Sequence, residues 1–189
     1  DEYVGVPIEE SRNCANLIRR TAVEPWGVPE NHYFTVSSSE SEALGSVLEH
    51  ERRIEAAGGL DVLVLGLGQN GHLGFNEPGS ESDSGARVLD LDTISIEANR
   101  QWFGGDHAPR RGATVGMRTI LAARRILIMA YGSHKAGAAF DMTLGPISSR
   151  CPASFLQSHP NTSVFLDDVA HSRIRNPPTP IPEPCPPAA

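Results

Sequence analysis

The sequence predicts an α/β protein, a three-layer sandwich built on a mainly parallel sheet. Three short apolar runs carry this prediction: LDVLVLG at 60–66, RILIMAYG at 125–132 and SVFLD at 163–167. Continuous apolar runs of this length, β-branched in part, are typical of parallel strands buried on both faces. Helical patterns separate the runs, and strands that alternate with helices form a parallel sheet with right-handed crossovers.

Four segments are predicted to be helical. The first is residues 9–21, and the second follows a capping box of Ser39 and Glu42 and ends at the glycines of positions 58–59. The residues expected on the buried face of the second helix are Leu44, Val47, Leu48 and Ile54. Thr114 is expected to cap a third helix that runs to about residue 123, and Ser133 a fourth that follows the second strand.

Composition and charge indicate one globular cytoplasmic protein. Of 189 residues, 39% are hydrophobic and 21% are charged, so the chain can bury a sizeable core without disulfides or metal. The net charge of -7 argues against nucleic acids and anionic membranes as partners. No apolar run approaches the roughly 20 residues of a membrane span. Cys14, Cys151 and Cys185 lie too far apart to indicate a disulfide framework or a zinc site.

The two ends of the chain are expected to differ from its middle. We predict one α/β domain over residues 1–170 and an extended or disordered tail over 171–189, where proline recurs in NPPTPIPEPCPP. Proline cannot donate to a strand ladder or continue a helix. At the other end, DEYVG puts acids where a complete chain normally shows its initiator methionine. We therefore expect sequence upstream of Asp1 to be missing.

A glycine-rich turn after the first strand carries the first candidate functional residues. It runs GLGQNGHLGFNEPG over 66–79. His72 can exchange a proton near neutral pH, and Asn70 or Glu77 can fix its ring. Lys135 follows the second strand near a helix start, where phosphates bind. Each residue alone is more often an ordinary surface residue, but ligands of parallel sheets bind beyond the carboxyl ends of strands, where both segments fall.

The same turn also matches a dinucleotide-binding pattern. Gly66, Gly68 and Gly71 have the G-x-G-x-x-G spacing. A dinucleotide turn leads directly into a helix, whereas Pro78 disfavours a long helix here, and the turn has no basic residue. NAD binding is therefore rejected.

Five segments of the chain carry a resemblance to a known family. They are DEYVGVP, LGLGQNGHLGFNEPG, SIEANRQWFGG, ATVGMRTILAARRILIMAYGSHKA and CPASFLQSHPN, and they cover most of residues 1–168 in order. In these segments the chain resembles glucosamine-6-phosphate deaminase and its relatives, which include 6-phosphogluconolactonases and galactosamine-6-phosphate deaminase/isomerases. The resemblance implies a deaminase-like, modified Rossmann sandwich.

The resemblance also implies roles for single residues. Asp1 matches the acid that shuttles a proton between two sugar carbons, His72 the histidine that opens the ring, and Glu77 the acid behind that histidine. Lys135 matches a phosphate ligand. The implied catalytic residues are Asp1, Asn70, His72 and Glu77. The implied substrate- and phosphate-binding residues are Gly71, Arg100 and Lys135.

Three departures from the family pattern affect these roles. Asn70 stands where the glucosamine branch has Asp, and, together with CPASFL, it inclines the interpretation toward a galactosamine-type substrate. Gln101 stands where the family has a phosphate-binding arginine, with Arg100 one place away, and one helical residue turns a side chain by about 100°. The family's Gly-Gly-Thr/Ser phosphate loop would precede Asp1.

The expected function is aldose–ketose isomerisation with deamination of a glucosamine or galactosamine 6-phosphate. It requires no metal or cofactor, because one positioned base can serve two adjacent carbons. The expected partner is a small sugar phosphate, and a homo-oligomer is left open. Two alternatives remain. One is a 6-phosphogluconolactonase, which LGFNEP at 73–78 disfavours, since that branch has Thr-Ala-Ser-Leu-Phe-Pro. The other is a sugar-phosphate-binding protein without turnover.

Overall fold

The structure is a computed structural model that describes residues 1–105 and 108–177. Its strands and helices in chain order are β1 (Glu2–Tyr3), α1 (Cys14–Ile18), α2 (Ala43–Ala56), β2 (Leu63–Gly66), β3 (Arg87–Asp90), α3 (Thr93–Trp102), β4 (Arg111–Thr114), α4 (Met117–Leu121), β5 (Ile126–Ala130), α5 (Ala136–Leu144), β6 (Thr162–Leu166) and α6 (Ser172–Arg175). A π-helical turn, Arg19–Val23, continues α1, and 3₁₀ turns cover Glu30–His32, Ser133–Lys135 and Pro152–Ser158. None of the described helices is long and apolar enough to cross a membrane.

A parallel sheet of order β2-β5-β6 confirms the predicted α/β fold class and all three predicted strands. Leu65 pairs with Ile128 across the first ladder, and Ile128 with Val164 across the second. Ile126 and Ile128 are fully buried and belong to the main core cluster together with residues of α4 and α5. The crossover helices therefore cover this face of the sheet, as the apolar runs predict.

The opposite face of the parallel sheet is largely exposed in the described part of the chain. Met129 of β5 pairs with Phe165 of β6 on this face. In β2, Gly66 is the residue that pairs with Met129, and Val64, two residues before Gly66, lies on the same face. These three side chains are 39%, 51% and 52% exposed, respectively. Parallel sheets are normally covered on both faces. The described residues supply that cover on one face only.

A second sheet, antiparallel and of order β1-β4-β3, was not predicted. Its strands are two to four residues long, and RVLD and RGAT are too short and too polar to show a strand pattern. β1 pairs with β4, so that Glu2 lies opposite Ala113 and Asp1 is carried to the end of β4. This sheet positions one half of the candidate site.

The predicted second helix exists, but its cap and its buried face were partly wrong. α2 begins at Ala43, and Glu42, at its N-cap position, makes no side-chain capping hydrogen bond. The Glu42 carboxylate accepts a hydrogen bond from the Ser37 hydroxyl group, and the backbone N–H of Ser39 donates to Ser37 Oγ. Val47 is fully buried as predicted, whereas Leu44 and Leu48 are about half exposed. The residues that α2 buries are Ala43, Val47 and Glu51. Their spacing of four residues directs one narrow stripe onto the antiparallel sheet.

Other predicted helix boundaries also shift. The first helix begins at Cys14 rather than at residue 9, with Asn13 as its N-cap. Thr114 ends β4 and does not cap α4, whose N-cap is Gly116. Ser133 opens a 3₁₀ turn, and α5 follows it without a side-chain cap. Within the predicted tail, α6 is helical, and residues 178–189 lie outside the described part of the chain.

A buried carboxylate joins α2 to the segment before β3 and to the segment after β4. Glu51 is 7% exposed. Its oxygens accept hydrogen bonds from the backbone N–H groups of Ala86 and Gly116 and from the hydroxyl group of Thr119, at 3.0, 3.2 and 2.5 Å. Burial raises its pKa, but these hydrogen bonds and the nearby Arg118 charge lower it more. The carboxylate form is therefore the stable one in the fold.

We expect Glu51→Gln to lower the free energy of unfolding by about 2 kcal/mol, because the amide leaves at least one buried N–H donor unpaired. Chemical denaturation at pH 7 measures the change. Since the folded pKa is lowered from 4.5, the stabilisation by Glu51 is present above that value and lost as the pH falls through the folded pKa. The free energies of unfolding of Glu51→Gln and the wild type should therefore become equal in acid. Glu55→Gln, exposed one turn later, is the matched control. Equal stability of Glu51→Gln and the wild type at pH 7 would contradict this role.

Candidate active site

One cavity of about 480 Å³ collects the main candidate residues. It lies where β1, the carboxyl end of β2 and the face of α3 meet. Asp1, His72 and Lys135 all line it, although they are far apart in the sequence. The volume is within the usual range for small-molecule sites. Two acid/base groups and one cation thus share a space that can hold one small anionic ligand.

The glycine-rich turn has glycines where neighbouring functional side chains need the space. A Cβ on Gly68 would overlap the imidazole ring of His72. Gly74 has a φ of +60°, and a Cβ there would lie 2.5 Å from Asp1 Oδ2. A side chain at position 68 would displace the imidazole, and one at position 74 would displace the carboxylate. The turn therefore admits both groups to the same cavity.

The imidazole of His72 lies against a buried carboxylate. His72 Nδ1 is 3.2 Å from Glu77 Oε2, and Asn70 Nδ2 donates to the same oxygen at 2.7 Å. Burial raises the pKa of this carboxyl group, but hydrogen bonds from His72, Ser95 and Asn70 and the charge of the imidazolium lower it more. Glu77 is therefore a carboxylate at neutral pH. Because a carboxylate only accepts, it requires a proton on Nδ1 and leaves Nε2 for a ligand.

The carboxylate of Asp1 is held by a residue that the sequence did not single out as part of the site. The hydroxyl group of Thr114 donates to Asp1 Oδ1 at 2.8 Å and accepts from the backbone N–H of Phe75 at 3.2 Å. Thr114 is fully buried. It thus connects the end of β4 to Asp1 and to the turn that carries His72. Its position before a segment with a helical pattern suggested a helix cap, and nothing in the sequence distinguished the two roles.

Lys135 lies at the end of the 3₁₀ turn that follows β5. Gly132 directly precedes that turn with a φ of +91°, and its backbone N–H donates to Asp167 Oδ2 at 3.0 Å. Burial lowers the pKa of Lys135. A partly desolvated ammonium group exchanges water for a phosphate oxygen at a smaller cost than a fully hydrated one. The geometry is therefore suited to an anionic substituent at this edge of the cavity.

Two predicted binding residues do not line this cavity. Arg100 instead lines a separate cavity with Arg110 and Arg111. Gly71 is buried, and its N–H donates to the carbonyl of Gly68 at 3.1 Å. The substrate-binding roles that the resemblance implies for Arg100 and Gly71 remain predictions that this placement does not support.

The face of α3 adds polar residues that the sequence interpretation missed. The hydroxyl group of Ser95 lies 3.1 Å from His72 Nδ1. One turn later, Asn99 Oδ1 accepts a hydrogen bond from the hydroxyl group of Tyr3 at 2.9 Å. Both residues line the cavity. A serine and an asparagine in a helix carry no signal by themselves, so only the fold shows that they belong here.

Comparison with known families shows which family this chain belongs to. A model of the family described as glucosamine-6-phosphate isomerases/6-phosphogluconolactonase matches residues 1–165. The chain belongs to this family. The sequence resemblance is thereby confirmed.

Curated members of the family show similarity along nearly the whole chain. Glucosamine-6-phosphate deaminase of Streptomyces avermitilis is 36% identical over 177 residues, which are 93% of this chain and 68% of that protein. The enzyme of the same name from Cutibacterium acnes is 38% identical over 175 residues, 92% of this chain and 67% of that protein. That of Rhodopirellula baltica is 39% identical and is covered to 70% of its length. The chain therefore spans about two-thirds of these relatives.

Solved structures of the family have the same fold. A monomeric glucosamine-6-phosphate deaminase of the NagB superfamily matches 90% of this chain and 71% of its own, with a TM-score of 0.86 and 30% identity. The 6-phosphogluconolactonase of Trypanosoma cruzi matches 92% of this chain and 70% of its own, with a TM-score of 0.71 at 18% identity. The second similarity shows the fold alone.

Proposed function

We propose that the chain catalyses the isomerisation and deamination of a hexosamine 6-phosphate, to a ketohexose 6-phosphate and ammonia. The observation that carries the proposal is the single cavity lined by Asp1, His72 and Lys135. The named relatives support glucosamine 6-phosphate as the first substrate to test, over the galactosamine epimer toward which Asn70 inclined the sequence interpretation. A phosphorylated sugar does not cross membranes unaided, so we place the reaction in the cytoplasm.

His72 is assigned to ring opening. A cyclic hemiacetal opens when its anomeric hydroxyl group loses a proton and its ring oxygen gains one. With Nδ1 held by Glu77 at 3.2 Å, Nε2 is the nitrogen that can take the first proton and supply the second. Glu77 stabilises the imidazolium formed between the two transfers, and Asn70, donating to Glu77 at 2.7 Å, holds that carboxylate in place.

Asp1 is assigned to the proton transfer between carbons. Its carboxylate takes the C2 proton of the open aldehyde–amine while O1 gains a proton, which gives an enolamine. It then returns the proton to C1 while the amine loses one, which gives a ketose imine. Water then adds to the C2 imine and ammonia leaves, so the overall reaction is hydrolytic as well as isomerising. Thr114 fixes the carboxylate while Lys135 binds the phosphate group, and the sugar is thereby held between them.

The expected result with purified chain is release of ammonia from glucosamine 6-phosphate in equal amount with fructose 6-phosphate, each measured by a coupled enzymatic assay. Galactosamine 6-phosphate, assayed in parallel, decides the epimer. Release of neither product, with binding of the sugar phosphates retained in calorimetry, would overturn the proposal in favour of a binding protein without turnover. Hydrolysis of 6-phosphogluconolactone in place of deamination would overturn it in favour of the lactonase alternative.

A further inference from the structure

The hydroxyl group of Ser95 has a place in the site that the proposed mechanism does not yet use. Ser95 lies in the first turn of α3 and is 5% exposed. Its oxygen is 3.1 Å from His72 Nδ1, which is also 3.2 Å from Glu77 Oε2. Two oxygens from two different elements therefore converge on one ring nitrogen.

The hydrogen atoms available at this point limit what Ser95 can do. Nδ1 carries one proton, and Glu77 has none to give. A hydroxyl group can accept from Nδ1–H through a lone pair and donate its own proton to the carboxylate. Burial raises the pKa of Glu77, and Ser95 is one of the neighbouring side chains that lower it. Moreover, Glu77 Oε1 is buried without a hydrogen-bond partner among the described residues, so each donor near this carboxylate matters.

The alternative tautomer shows why the hydroxyl group favours one ring state. A proton on Nε2 would leave the Nδ1 lone pair facing the Glu77 carboxylate, which is repulsive. Ser95 could then donate to Nδ1, but the carboxylate would lose the hydroxyl group as a donor. Together, Glu77 and Ser95 therefore favour the ring with its proton on Nδ1.

The helix that carries Ser95 is itself fixed to the other half of the site. Asn99, four residues later on the same face, accepts the hydrogen bond of Tyr3 at 2.9 Å, and Tyr3 follows Asp1 by two residues. At the start of α3, Asp92 accepts from the backbone N–H of Ile94 at 2.8 Å and caps the helix. Ser95 thus belongs to a wall whose position is set relative to β1.

We propose that Ser95 is a positioning residue that holds the imidazole of His72, with its proton on Nδ1 and Nε2 toward the sugar. This assignment rests on the proposed function for its catalytic meaning, but the state of the ring can be measured without turnover. Ser95 acts through His72 and contributes no proton to the reaction.

The deciding experiment is ¹⁵N NMR of the histidine side chains, in Ser95→Ala, Ser95→Thr and the wild type. Ring signals of His72 are identified by their loss in His72→Gln. In the wild type we expect a protonated Nδ1 and an unprotonated Nε2. In Ser95→Ala the ¹⁵N chemical shifts of Nδ1 and Nε2 should both move toward the average of the two tautomers. In Ser95→Thr, which keeps the hydroxyl group, the two chemical shifts should stay near their wild-type values. Ser41→Ala, an exposed serine in the turn before α2, is the matched control.

Kinetics give a second readout. We expect Ser95→Ala to lower kcat about tenfold while KM stays within about twofold, in line with the loss of a partner that orients a reacting histidine. Unchanged His72 shifts in a folded Ser95→Ala chain would overturn the proposal, as would shifts in Ser95→Thr equal to those in Ser95→Ala. Absence of ammonia release in the wild type would count against the proposed function alone, because the NMR result decides the role of Ser95 separately.

Discussion

Replacing Asp1 by Asn is expected to lower kcat for ammonia release by about 10³-fold, since positioned proton transfer typically contributes about 10²–10⁴-fold. The amide oxygen can still accept the hydrogen bond that Thr114 now gives to Oδ1 at 2.8 Å, so the side chain keeps its place. It cannot carry the C2 proton. Steady-state kinetics should therefore show the loss in kcat, with KM for the sugar phosphate changed by no more than about threefold.

The matched control for this variant is Asp61→Asn, an exposed carboxylate outside the cavity. It should retain full activity. Two results would refute the assignment of Asp1: near-normal turnover in Asp1→Asn, or a rise in KM that accounts for the whole loss in kcat/KM. The second result would make Asp1 a binding residue.

Replacing His72 by Gln is expected to lower kcat by about 10²–10⁴-fold with the natural cyclic substrate. Glutamine can still donate one hydrogen bond toward Glu77, which is 3.2 Å from Nδ1, so the carboxylate is not left alone. It cannot pass a proton to the ring oxygen. Since the sugar also opens slowly in water, the residual rate should be limited by spontaneous ring opening and should level off at high enzyme concentration.

His32→Gln, on an exposed 3₁₀ turn, is the control for the chemical change. Calorimetry with the sugar phosphate should show His72→Gln binding about as tightly as the wild type, because Lys135 is unchanged. Wild-type kcat in His72→Gln, or equal losses of binding and turnover, would remove His72 from the ring-opening role.

The strands of the parallel sheet could be predicted because their apolar residues form uninterrupted runs. β1, β3 and β4 could not, since each is stabilised by pairing with residues far along the chain rather than by its own composition. The capping box at Ser39 failed for a related reason. The Glu42 side chain had another partner, Ser37, at 3.0 Å, and a local pattern does not show which partner is preferred.

For the candidate site, the positional argument predicted that the ends of β2 and β5 would meet, and His72 and Lys135 do line one cavity. The roles assigned to them stay predictions. Arg100 lies one residue from the position of the expected phosphate-binding arginine, and that shift matters on a helix. On α3 it lines another cavity with Arg110. Ser95 and Thr114 were missed because hydroxyl groups become informative only when their neighbours in space are known. Among these residues, the candidate acid/base and phosphate-binding side chains were easier to predict than the side chains that hold them in position.

The two close approaches at the glycine-rich turn have a consequence for how this loop can change. At Gly68 and Gly74 the room that a methyl group would need is already taken by an imidazole and a carboxylate. Residues with a side chain, which other surface positions tolerate, are therefore not tolerated at these two positions, even though neither glycine takes part in the proposed proton transfers. Redesign of the loop for a new substrate has to begin at its other residues.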